Sequence, residues 1–218
     1  MKREPSFTHE HYESTLMEYL DAGYFVGGFR EIIQNPDKEK FMILRHDIDT
    51  SLDIAFKIAE IDHRCGIKSS FFIRVHATGY NPFSLPNYKI LQQILQMGHE
   101  IGLHVEPSLP RALNQNSLEF CDRQKAVLEA VIGTQIIGIS THEPARMDEP
   151  LLVEKLVSRW GLQYHAYEDR FCNEIKYISD SGARWREGCF SSWVNRVDRI
   201  QVLVHPFWWY CHVSQENY

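Results

Sequence analysis

No basic block interrupts this sequence: its 218 residues carry 23 Lys and Arg against 29 Asp and Glu, a formal net charge of -6. A protein that neutralises phosphates along a nucleic acid needs a basic footprint, so nucleic-acid binding is disfavoured. Also missing is any apolar run near the roughly 20 residues needed to span a bilayer. Lys2 and Arg3 near the start are not followed by the apolar segment of a secretory leader, so neither export nor insertion is expected. Cysteine is sparse and unpatterned. Cys65, Cys121, Cys172, Cys189 and Cys211 are odd in number and form no CxxC pair, which argues against a disulfide framework and a thiolate zinc site. A reducing, cytoplasmic setting fits best, with Cys65 and Cys121 as small core residues on helices. Repeats, low-complexity tracts and linkers are absent too.

What is present is the composition of a soluble globular chain, with 44% apolar and 24% charged residues. Its length suits a single domain over residues 1–218. Apolar runs alternate with helical stripes from about Asp49 onward, the pattern of βαβ units around a parallel sheet, so the fold class is α/β. Phe41 to Arg45 is the first clear strand. A helix follows from about Ser51 to Cys65, with Ile54, Ala55, Ile58 and Ala59 on one face and Gly66 beyond its end. Next come a strand over Ser69 to Val75, a helix over Asn87 to Met97 and a short strand near Ile101 to His104. Asn116 and Glu119 have capping-box spacing at the start of a helix reaching Ile132 and Gly133. Ile136 to Ile139 is a strand, and Pro150 falls in the first turn of a helix whose stripe Leu152, Val153, Leu156, Val157, Trp160 ends at Gly161. Strands near Gln163 to Tyr167, Lys176 to Ser179 and Gln201 to Val204 complete the series. Thr8 to Ala22 is an amphipathic helix ahead of the repeating units, while Asn81 to Pro86 and Glu106 to Gln115 read as long loops.

Several of these strands end in acidic or imidazole side chains, where parallel sheets and barrels place their sites. The first runs into His46-Asp47-Ile48-Asp49, another reaches His104, the strand at Ile139 leads to His142, and the last reaches His205. Side chains alternate along an extended chain, so Asp47 and Asp49 share one face and His46 and Ile48 the other. Such a pair can divide labour, one carboxylate binding a cation and the other acting as a base; Asp49 is equally placed as a helix N-cap. His104 is a candidate ligand for zinc or a similar metal. His142 reads as a ligand or as a donor lining the site. His99 and Glu100 begin the strand that His104 ends, and are assigned to packing or hydrogen bonding at its opposite end. His205, fixed by Pro206, is a candidate general acid or a buried histidine bonded to backbone. Trp185, Trp193 and Phe207-Trp208-Trp209-Tyr210 offer faces for sugar rings or, more commonly, packing.

Leu44-Arg45-His46-Asp47-Ile48-Asp49, Gly98-His99-Glu100-Ile101-Gly102-Leu103-His104 and Val204-His205-Pro206 resemble the ordered motifs of the polysaccharide deacetylase superfamily (carbohydrate esterase family 4-like). Tyr177-Ile178-Ser179-Asp180-Ser181, Trp185-Arg186-Glu187 and Trp208-Trp209 resemble a small branch associated with surface-carbohydrate biosynthesis, and the likeness runs from about Tyr12 to Trp209. It implies a distorted (β/α) barrel of about seven strands and a metal-dependent hydrolase removing an acetyl or related acyl group from an amino sugar or glycan. By position, Asp47 resembles the base, Asp49 the metal aspartate, His104 the first metal histidine and His205 the acid. The cofactor implied is a divalent cation, with zinc the first choice, that acidifies water and polarises the acyl oxygen. Arg45, Asp180, Trp185 and Trp208 are the implied contacts to a carbohydrate or nucleotide-sugar substrate. One position departs from the pattern: the usual second histidine, four residues after the first, is Ser108. His142, in a region where the family often carries an arginine near the base, and Glu106 are the replacement ligands to consider. The departure also motivates the alternative of a non-catalytic carbohydrate-binding member; a phosphoesterase is disfavoured because no second ligand cluster is apparent.

Overall fold

The structure is a computed structural model that describes residues 7–146, 149 and 151–218; Pro150, expected in a helix's first turn, lies outside the described residues. Eight strands form one sheet: β1 Phe25–Gly27, β2 Phe41–Ile48, β3 Ser70–Ile73, β4 Glu100–Val105, β5 Gly138–Thr141, β6 Tyr164–His165, β7 Lys176–Ser179 and β8 Arg199–Val204. Every pairing is parallel, in the order β6-β5-β4-β3-β2-β8-β7, with β1 beside the first half of β2. Chain order thus runs round a curled barrel that closes where β8 meets β2 and, among the described residues, stays open between β6 and β7.

The helices are α1 His9–Asp21, α2 Phe29–Gln34, α3 Leu52–Arg64, α4 Leu85–Gln96, α5 Ser108–Ala112, α6 Ser117–Ile132, α7 Leu152–Trp160 and α8 Asp169–Cys172. Their ends follow local chemistry. Thr8, Ser51 and Asn116 each accept a backbone N–H from the first turn of α1, α3 and α6, while Gly133 and Gly161 stop α6 and α7 in the left-handed region. Ser51 therefore caps α3, and Asp49 is free for another role. The two expected loops are shorter than the sequence suggests: Pro86 lies in the first turn of α4, and α5 occupies part of Glu106 to Gln115. The strand expected over Gln163 to Tyr167 contracts to Tyr164–His165, and the one expected at Ile136 begins at Gly138. β1 and α2 were not expected; both are too short to show a period.

β2 runs through the middle and is buried on both faces from Met42 to Ile48. Met42 and Leu44 face α1 and α3 in one apolar cluster, which the aromatic wedge of Trp185, Phe190 and Trp209 extends. Ile43 faces inward, joining Phe29, Phe72, Tyr164 and Phe171 in a plug that fills the lower barrel. A third cluster packs α3, α4, α6 and α7 against β3, β4 and β5. The plug depends on two missing side chains: a Cβ at Gly102 would lie 2.6 Å from the Phe72 ring, and one at Gly138 only 1.9 Å from Tyr164. Overpacking of this kind costs about 1–3 kcal/mol. Gly138→Ala is expected to destabilise the fold by at least that amount in denaturant unfolding, with little change in the slope of the transition.

Candidate active site

The parallel arrangement brings the carboxyl ends of β2, β4, β5 and β8 to one mouth, and with them Asp47, Asp49, His104, His142 and His205, all of which line one cleft. Asp47 and Asp49 share the inner face of β2's end. His104 Nε2 lies 3.6 Å from Asp47 Oδ2 and 3.5 Å from Asp49 Oδ1. His142 follows β5, its backbone N–H bonded to Val105 O at 2.8 Å, so the β4–β5 ladder carries its ring to the same point. His142 Nδ1 lies 3.2 Å from both Asp49 Oδ1 and His104 Nε2.

These three atoms form a nearly equilateral triangle, and the edge of a tetrahedron of nitrogen and oxygen ligands around zinc is about 3.3 Å. Asp49 Oδ1 is buried with no hydrogen-bond donor of its own, an orphan that a cation would satisfy. One carboxylate and two imidazoles are a donor set suited to zinc or a similar divalent metal, and Asp49, His104 and His142 can hold one together. Burial raises the proton affinity of Asp49, but the facing His104 and His142 hold its carboxyl well below the usual carboxylate range.

Asp47 stands beside this group. Burial again pushes its carboxyl up, and Arg45 above all, then His104, brings it below the ordinary value. Arg45 Nε and Nη2 donate to its two oxygens at 2.9 and 2.7 Å. Arg45 is wholly buried, lies 4.3 Å from the centre of the Tyr167 ring and donates to Gln201 Oε1. This corrects the expectation that Arg45 contacts substrate: it lies behind Asp47, and its guanidinium is spent on that carboxylate.

His205 approaches from β8, one step beyond the registered pair His46–Val204. Its Nδ1 faces Asp180 Oδ1 at 2.6 Å, its backbone N–H reaches the same carboxylate, and Trp209 Nε1 donates to Oδ2 at 2.9 Å. Burial alone would depress the imidazole, but Asp180, with Asp47 and Asp49 beyond it, raises it to about 9. His205 is thus charged near neutrality, with Nε2 turned to the cleft 3.9 Å from Asp49 Oδ2. Asp180 itself is fully buried and orients His205, so it too lies outside the reach of a substrate.

Trp208 lines the cleft with Tyr167, Leu203 and Ser181. Trp185 does not: it packs between Phe7, Phe190 and Trp209 in the core, 8% exposed, because the wedge under α1 needs its ring. Glu106 is engaged elsewhere, with Arg74 Nε at 2.7 Å, and is not in the ligand group. His99 and Glu100 lie at the amino end of β4, where His99 accepts the Ser69 N–H and Glu100 accepts from Ser70 and Arg30. Sequence reasoning missed Tyr80, whose hydroxyl donates to Ile48 O at 2.7 Å and accepts the Arg74 N–H, strapping the loop after β3 onto the end of β2. Gly79 permits it, since a Cβ there would sit 2.0 Å from Thr50 O. The signal was a glycine beside a tyrosine just ahead of the expected loop Asn81 to Pro86.

No protein-family model and no curated protein matches the sequence. Solved structures do. IcaB from Ammonifex degensii aligns with a TM-score of 0.53 at 15% identity, over 72% of this chain and 74% of that one. A mutant of a CE4-family pseudoenzyme with restored enzymatic activity aligns with a TM-score of 0.52 at 16% identity, over 78% of this chain and 58% of the other. A protein assigned as a polysaccharide deacetylase of O-antigen biosynthesis in Bordetella bronchiseptica gives 0.50 at 14% identity, over 84% and 79%.

Two measurements follow. In calorimetric titration with zinc, His142→Ala is expected to lose more affinity than the roughly 10- to 100-fold typical of outer-shell changes, while Glu106→Gln binds as the parent does. His165, bonded to Thr141 Oγ1 at 2.8 Å, is pushed down to about 3 by burial and then by Arg45. It stays neutral in the fold while the unfolded chain takes up a proton below its ordinary value of 6.5, so stability is held above that pH and lost as pH falls towards 3. At about 1.4 kcal/mol per unit this is worth a few kcal/mol, and His165→Gln should flatten the acid limb of stability measured against pH. From its strand order, its register and these structural neighbours, the chain has the polysaccharide-deacetylase fold.

Proposed function

We propose that the chain is a metal-dependent hydrolase that removes an acetyl or related acyl group from an amino sugar or glycan. The observation that carries this reading is the meeting, at one mouth, of the Asp49, His104 and His142 group with a second, buried carboxylate, Asp47, and with His205, whose ring is paired to Asp180. The names of the neighbours support the substrate class. Asp49, His104 and His142 would hold the cation. When bound there, a divalent metal supplies Lewis-acid polarisation of an acyl oxygen and lowers the pKa of water.

The remaining chemistry belongs to the protein. Asp47 accepts a proton as water adds to the acyl carbon, and Arg45 keeps that carboxylate ionised and aimed. His205 donates its Nε2 proton to the departing nitrogen or oxygen, and Asp180 holds the ring in the orientation that allows it. Trp208 at the rim offers a face for a sugar ring. No Lys or Arg lines this cleft among the described residues, so a neutral sugar suits it better than the diphosphate of a nucleotide sugar.

The test is acetate release from N-acetylglucosamine oligomers by the zinc-loaded protein, abolished by a chelator and restored by metal. Asp47→Asn is expected to lower kcat by about 10²- to 10⁴-fold while zinc binding persists; full turnover in that variant rules out the assigned base. The pseudoenzyme neighbour favours one second reading, a carbohydrate-binding protein without turnover. Glycan affinity that survives chelation, with no acetate released by any preparation, is the result that selects it.

A further inference from the structure

The reading of Asp47 as base and His104 as ligand leaves two questions of atomic detail: which nitrogen of His104 carries hydrogen, and which oxygen of Asp47 receives the proton. We propose that Ser140 decides both, as a positioning residue that fixes His104 with hydrogen on Nδ1 and leaves Oδ2 as the proton-accepting oxygen of Asp47. This rests on the function proposed above and specifies it further.

Ser140 is wholly buried on β5 and is the register partner of His104 across the β4–β5 ladder. Its Oγ lies 2.5 Å from His104 Nδ1 and 3.2 Å from Asp47 Oδ1. A hydroxyl has one hydrogen to give and lone pairs to receive. An ionised carboxylate can only accept, and a hydrogen bond to it is roughly twice as strong as one between neutral groups, so the hydroxyl hydrogen goes to Oδ1. Oγ then accepts from His104, which places hydrogen on Nδ1. Nε2 is left with its lone pair turned towards Asp49 and His142, as a metal ligand requires.

The same bond decides the second question by a count of lone pairs. Each carboxylate oxygen offers about two acceptor sites. Oδ1 receives Arg45 Nε at 2.9 Å and Ser140 Oγ at 3.2 Å, and both its sites are filled. Among the described residues Oδ2 receives only Arg45 Nη2, at 2.7 Å, and it lies 3.6 Å from His104 Nε2, beside the ligand group. The free site is therefore on the oxygen beside the group that would hold the cation. Ser140 thus links the ligand His104 and the base Asp47 without touching substrate.

The first test needs no variant: nitrogen-15 NMR of histidine-labelled protein without metal, at a pH where the His104 ring is neutral, is expected to show its single hydrogen on Nδ1. Ser140→Ala should shift that ring towards a mixture of tautomers, weaken zinc binding by about 10- to 100-fold as outer-shell changes do, and lower kcat with KM little changed. Ser140→Thr, which keeps the hydroxyl, should restore all three. A purely structural role would lower the melting temperature of Ser140→Ala and leave its tautomer and zinc affinity as in the parent. That result, or a parent protein with His104 protonated on Nε2, overturns the inference. A parent that shows hydrogen on Nδ1 yet binds no zinc and releases no acetate overturns the proposed function instead, and leaves the assignment of Ser140 as donor to Asp47 standing.

Discussion

The arrangement at the mouth depends on a charge pair sealed inside the barrel. Arg45 and Asp47 face the interior two residues apart on β2, and both are almost entirely hidden from water. Two buried charges cost several kcal/mol each to desolvate, and the loss is recovered only where geometry is good and the remaining polar atoms are satisfied. Here the fork of the guanidinium meets both carboxylate oxygens, and its other face rests on Tyr167. Gln201 completes the arrangement: its Oε1 accepts from Arg45, and its Nε2 donates to Ala166 O and Phe171 O. Those two carbonyls lie just beyond β6 and within α8, along the seam where the sheet fails to close. One amide therefore holds the open side of the barrel and the support of Asp47 together.

The electrostatics of the mouth follow from this placement. Carboxylates dominate it, and the two that line the cleft are held below the ordinary value by different neighbours: Asp47 above all by Arg45, Asp49 by His104 and His142. His205 is thereby driven the other way, towards its charged form. A carboxylate with lowered proton affinity, Asp47, and an imidazole with raised affinity, His205, stand at the same mouth. This separation of two titrating groups by environment is the general means of running acid and base steps at one pH.

The repeating units and their helix ends were legible because they rest on local rules: apolar spacing, side-chain caps at Ser51 and Asn116, and glycines at 133 and 161. The strand-end residues were legible for a related reason, since alternation puts Asp47 and Asp49 on one face whatever the partner strands do. Arg45 was harder. An arginine two residues before an aspartate reads as another polar group facing the cleft, and only Gln201, far along the chain, reveals that the interior can hold it. Trp185 fails for the opposite reason: its surroundings in the sequence are polar and irregular, while Phe7, Phe190 and Trp209 arrive from three other segments to bury it. β1 and α2 carry too few residues for any periodicity, and their existence is dictated by the need to plug the lower barrel with Phe29.

The substitution of Ser108 for a ligand has a geometrical answer that chain spacing alone does not supply. Position 108 begins α5, beyond Pro107, where the backbone has already turned away from the strand direction. His142 reaches the ligand group sideways. Val105 and Thr141 are register partners, so His142 stands one step past β5 at the height where Glu106 stands one step past β4. A ligand drawn from the same loop as His104 would need only local structure to find it. A ligand drawn from the neighbouring strand exists only when β4 and β5 are correctly paired, because a slip of one residue would turn either imidazole to the opposite face. The candidate metal group is thereby tied to the register of the sheet, and a cation held there would stabilise that pairing against every shifted alternative.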